Sequence, residues 1–161
     1  MTKLWILASC IAAAFSTTAS ANLLQEQNIP LNLAVDIAQN AIESCTKQQY
    51  SVSAAVVDRE GVLRALLRAD NAAIHTPDAA RRKAYTAASM RSVTSTIVKS
   101  VQNPGAAQLT AIDDFLVLAG GVPIKVGNET IGAVGVGGAP SGDFDEACAQ
   151  AALKQVADQL K

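Results

Sequence analysis

His75 is the only histidine in the chain, and it heads the stretch HTPDAARRKAYTAASM, residues 75–90. Neutral imidazole is the form that binds metal, and the positive end of a helix disfavours an added positive charge, so a histidine at a helix entrance suits a metal ligand. His75 is equally readable as a polar surface residue ahead of a helix. Arg81, Arg82 and Lys83 follow it. They are either a solvated helix surface or a set of cations for a carboxylate or similar anion. Gly132, Gly135, Gly137 and Gly138 leave one segment with few side chains, which marks a bend or the close approach of a ligand or another backbone. Open backbone N–H groups there, near the same helix, would make a small anion or carboxylate pocket.

Signatures of catalysis are nearly absent. The chain has no Ser/His/Asp order of a known hydrolase, no His/Cys cluster at metal spacing, no Walker loop and no Gly-x-Gly-x-x-Gly opening a Rossmann helix. Asp113 and Asp114 read as loop polarity. Asp143, Asp145 and Glu146 read as negative charge at a helix N-terminus.

The elements that must position these residues follow from periodicity. Leu33, Val35, Ile37, Ala38, Ala41, Ile42 and Cys45 predict an amphipathic helix over 31–48, with Asn32 as its cap. Residues 51–57 and 62–68 predict two antiparallel strands around the turn Asp58-Arg59-Glu60-Gly61. Thr76 as cap, Pro77 at the first helical position and Asp78 in the first turn predict a helix running to about Arg91. Its Ala79, Ala80, Ala84, Ala87 and Ala88 form a flat face for close packing on the sheet or on a second subunit, and Tyr85 and Met90 are expected in the core. Residues 92–114 carry no firm prediction beyond a short helix or strand and a break at Asn103-Pro104-Gly105. A short apolar run at 115–118 leads to a second hairpin, 122–126 and 130–136, and a last helix opens at Ser141 or Asp143 and runs to about Leu160. Strands come in hairpins, so the expected class is α+β, an antiparallel sheet flanked by helices.

About half of the 161 residues are apolar, enough for one domain with a real core. Residues 1–21, with Lys3, an apolar run and Ala19-Ser20-Ala21, have the form of a cleaved signal peptide, leaving a domain of residues 22–161 in the periplasm or secreted. Leu7-Ala8-Ser9-Cys10 is a competing lipoprotein reading. The apolar run is too short to span a membrane, for which about 20 residues are needed. Without the leader, twelve basic side chains face fourteen acidic ones, and nucleic acid is not an implied partner. Two cysteines remain, Cys45 and Cys148, and export predicts that they pair, closing a loop of about 100 residues.

Taken together, AVVDREGVLRALLRAD, ARRKAYTAASM, GGVPIKVGNETIGAVGVGG and GDFDEACAQAAL resemble the GlcG/HbpS family of haem-binding-type proteins, over about residues 31–160. The resemblance implies α-β-α layers around an antiparallel sheet, related in shape to profilin, a homo-oligomer, and haem or a related tetrapyrrole as ligand. An axial ligand is usually His, Met, Cys or Tyr. On that basis His75 is the candidate axial ligand, Arg81 and Lys83 anchor acidic groups, and Gly121, Pro123 and Gly137 belong to the pocket wall. The alternative is an accessory protein or minor enzyme of small-molecule catabolism that holds a carboxylate or carbonyl compound in the same pocket.

Overall fold

The computed structural model describes residues 23–161. The leader and lipoprotein readings lie outside the described residues.

Helix α1, Leu31–Thr46, buries Leu33, Ile37, Ala38, Ala41 and Cys45 of the expected stripe; Ala34 joins them, Ile42 is half-buried and Val35 faces outward. Pro30 occupies the cap position and no side chain caps the helix; Asn32 lies inside the first turn, exposed. Strands β1, Ser53–Asp58, and β2, Leu63–Arg68, pair antiparallel. The Asp58 carboxylate closes their turn by accepting from the Glu60 and Val62 amides.

Helix α2 spans Thr76–Met90 and ends on left-handed Arg91. Its cap differs from expectation. His75 holds the cap position, while Thr76 is the first helical residue and is fully buried. The Thr76 hydroxyl donates to the Ala73 carbonyl and lies 2.7 Å from the Ser53 hydroxyl, so it fastens the helix to β1 instead of capping it. Met90 is 38% exposed and outside the core, although Ala87 and Ala88 of the same turn are buried against Val57 and Ala133 of the sheet. Tyr85 is half-buried and meets Phe115 edge to face at 6.1 Å.

The unassigned stretch holds α3, Thr94–Ser100, and a 3-10 turn, Ala107–Ala111. Residues 115–118 are not a strand. Strands β3, Gly121–Val126, and β4, Glu129–Gly137, complete one antiparallel sheet in the order β2-β1-β4-β3. Helix α4, Gly142–Gln155, starts from Ser141, whose hydroxyl accepts from the Phe144 amide, and ends well before Leu160; a short 3-10 turn, Ala157–Gln159, follows.

Two helices, α1 and α4, cover one face of the sheet and α2 covers the other, giving α-β-α layers. The main core lies on the first face, among Ile37, Val56, Ile124, Val134 and Val136. A disulfide joins Cys45 of α1 to Cys148 of α4, with the Cα atoms 5.5 Å apart. On the other face the glycines of β4 explain themselves. A Cβ on Gly135 would fall on the Ala80 carbonyl, and one on Gly121 would fall on the Lys83 carbonyl. The sparse strands therefore receive the backbone of α2 itself, against its alanine face.

Candidate functional site

That close seating brings α2 beside the loop between β4 and α4, and a cleft of about 550 Å³ opens between them. Its volume falls within the range of about 300–1,000 Å³ common for small-ligand sites. His75, Thr76 and Ala79 of the α2 entrance form one wall. Gly137 to Asp143 form the other, and Val98, Leu118 and Ala119 close the side. Much of the lining is apolar side chain or bare backbone.

Lys83 and Asp145 form the floor. Both are almost fully buried, and the Lys83 ammonium donates to Asp145 Oδ2 at 2.7 Å and to the Val136 carbonyl at 3.0 Å. Asp145 Oδ1 accepts from the Ala139 amide at 2.9 Å, which ties the loop to the pair. Gly120, at φ +123°, lets the chain pass this close: a Cβ there would stand 2.8 Å from the Asp145 Cβ and 2.9 Å from Lys83 Nζ. Burial pushes the Asp145 carboxyl above its ordinary value, against the opposing pull of Lys83 and of the Ala139 and Gly138 amides.

Of the residues singled out from sequence, the fold gathers His75 at the rim, Lys83 at the floor and Gly137 in the wall. Arg81 points elsewhere. It pairs with Asp78 at 3.1 Å and with Asp114 at 2.7 Å, and it holds the Asp114 carboxyl below the usual range. Gly121 lies under the backbone of α2, and Pro123 sits on edge strand β3 opposite Ala133, both outside the cleft lining. Sequence reasoning missed Asp145 as the partner of Lys83. Acidic residues that open a helix look alike whether they face water or turn inward, and the only signal was Asp145's place one turn ahead of buried Cys148 and Ala149. Glu146 was misread in the same way: it turns inward to accept from the Ser95 amide and hydroxyl.

Among the described residues no three His, Cys, Asp or Glu side chains gather as they would to hold a bare metal ion. A tetrapyrrole iron makes a smaller demand, since the macrocycle supplies four nitrogens and the protein adds an axial side chain. The exposed His75 imidazole beside an apolar cleft meets that demand. No helix among the described residues is long and apolar enough to cross a membrane.

Comparison with known proteins agrees with this architecture. The family model described as haem degrading protein HbpS-like matches residues 29–154. A crystal structure of a double mutant of HbpS from Streptomyces reticuli is 38% identical, with a TM-score of 0.81, over 90% of this chain and 98% of that one. GlcG of Escherichia coli strain K12 is 42% identical over 94 residues, 58% of this chain and 69% of GlcG. The crystal structure of a PduOC:heme complex has the same fold at 24% identity, with a TM-score of 0.70 over 79% of this chain and 94% of that one. By the match of the family model to most of its length, and by the layered fold it shares with HbpS, the chain belongs to the HbpS-like family.

Proposed function

We propose that this protein is an exported, homo-oligomeric binding protein whose cleft takes haem or a closely related tetrapyrrole, with His75 as the axial ligand. The observation that carries this reading is the position of His75. The only imidazole of the chain lines the cleft between α2 and the loop after β4, beside apolar walls, at the entrance of α2. Membership of a family described as haem degrading supports the ligand class. A pair of cysteines joined across two helices suits an oxidising compartment and supports export.

The chain's own residues have separable tasks in this reading. His75 would hold the iron at the entrance of α2. Ala79, Val98, Leu118 and Pro140 offer apolar surface to the macrocycle and keep water from the iron's neighbourhood, and bound haem iron would supply the redox chemistry.

Titration of the purified protein with haemin, followed by absorbance, tests the proposal beside His75→Ala. A saturable shift of the Soret band that is lost or altered in the variant is expected. An unchanged shift in His75→Ala would place the ligand elsewhere, and no saturable shift in the parent protein would remove haem as the ligand.

A further inference from the structure

The cleft has a polar floor that iron ligation does not use. An ammonium carries three N–H donors. Two of those on Lys83 are spent, on Asp145 and on the Val136 carbonyl, and no other acceptor among the described residues reaches it. Gly120 closes one side of the ammonium, and Lys83 and Asp145 both line the cleft. We propose that Lys83 offers its remaining N–H to a single carboxylate oxygen of the bound ligand, and that Asp145 is the positioning residue that holds the ammonium there.

This inference rests on the cleft being the binding site and adds the ligand's chemical class: an apolar body bearing a carboxylate. The buried stem matters. An exposed lysine is a mobile point charge, whereas this one is fixed between two acceptors and directs its donor. Asp145 has both oxygens occupied, by Lys83 and by the Ala139 amide, so its charge is matched locally. The entrances of α2 and α4 face the same space and bring their positive ends to it; Asp143 is the opposing charge in the lining. The ammonium is charged, so an anionic acid gains more there than its neutral ester or amide, without the two-point grip that an arginine would give.

The test compares haemin with its dimethyl ester, and benzoate with benzamide, on the parent protein, Lys83→Met and Asp145→Asn. The parent is expected to bind haemin at least about tenfold more tightly than the ester, one hydrogen bond to a charged group being worth about 1.5–3 kcal/mol. Lys83→Met is expected to weaken haemin binding and bring that ratio close to one, and Asp145→Asn to lower the ratio. A ratio unchanged in Lys83→Met overturns the inference. If neither porphyrin binds, the haem reading fails alone, and benzoate decides: a rise in Tm with benzoate and none with benzamide supports the carboxylate subsite, and equal effects overturn it. The parent protein also answers without substitution. The 15N resonance of Lys83 Nζ is expected to shift with benzoate and not with benzamide, and its indifference to both overturns the proposal even if Lys83→Met does not fold.

Discussion

Lys83 of α2 and Asp145 of α4 stand 62 positions apart in the chain and meet at 2.7 Å, with their side chains 5% and 4% exposed. The pair crosses the end of the sheet and ties together both walls of the cleft. It is at once the most deeply buried ion pair described and the polar centre of the candidate site.

The two partners are expected to differ when removed. Asp145→Ala leaves an ammonium buried without a counter-charge, a loss of the kind that costs about 3–5 kcal/mol. Lys83→Met leaves a carboxyl that burial already pushes towards its neutral form, so it can shed the cost by taking a proton. Urea unfolding should therefore find Asp145→Ala the weaker variant, and Lys83→Met/Asp145→Leu should recover most of the loss. Equal costs for both single variants would show that the pair is not desolvated as the geometry implies.

The packing of α2 on β4 gives a sharper steric prediction. In Gly135→Ala the new methyl meets the Ala80 carbonyl and the Ala84 amide, which are backbone and cannot rotate aside. The helix has to move, at a cost of about 1–3 kcal/mol or more. Gly105→Ala meets nothing within 4 Å and serves as the control, with a change within about 0.5 kcal/mol. If both variants melt together with the parent protein, α2 does not sit on the strand as described.

Much of this arrangement was legible from sequence, and its gaps have physical causes. The stripe of α1, the two hairpins and the Pro77 entrance of α2 each carry a strong local period or breaker, and each element formed within a few residues of its expected bounds. The glycines of β4 announced a close approach without saying of what. Only the fold reveals that α2 takes the space at Gly135, while Gly137 remains in the cleft wall. Residues 92–114 were unreadable because their helix spans only Thr94–Ser100, and the segment at 112–116 is held by distant partners: Arg81 on Asp114, Arg82 on the Phe115 carbonyl and Thr86 on the Leu116 amide. Contacts of that range leave no mark in a local pattern. The same reason hid Asp145.

Acid should act on two carboxylates in opposite directions. The hydrogen bond from Arg81, then its charge, lowers the Asp114 carboxyl in the folded chain. Its stabilisation is therefore complete above the ordinary carboxylate range and is lost as pH falls through the lowered value. Asp145 is raised by burial, so the folded chain holds a proton there more tightly than the unfolded chain, and its contribution falls as pH rises through the ordinary range to the raised value. Unfolding between about pH 3 and 7 should show the parent's advantage over Asp114→Asn growing with pH, and its advantage over Asp145→Asn shrinking. An advantage over Asp145→Asn that grows with pH would mean that the Lys83 charge outweighs burial at that site.

The bridge between Cys45 and Cys148 should be both strong and slow to reduce. It links residues separated by 103 positions, and in the chain-entropy model a loop near that length contributes about 4.7 kcal/mol by restricting the unfolded chain. Cys45→Ala/Cys148→Ala is expected to lose a large part of that figure in urea. Both cysteines are fully buried, so a thiol reagent reaches them only when α1 and α4 separate, and reduction of the native protein should track opening. Thiol counts on protein recovered from an oxidising compartment and denatured without reductant check the pairing itself. No free thiol from Cys45 or Cys148 is expected. Two would remove both the staple and one of the supports for export, leaving the haem-binding proposal to stand on His75, the cleft and the family match.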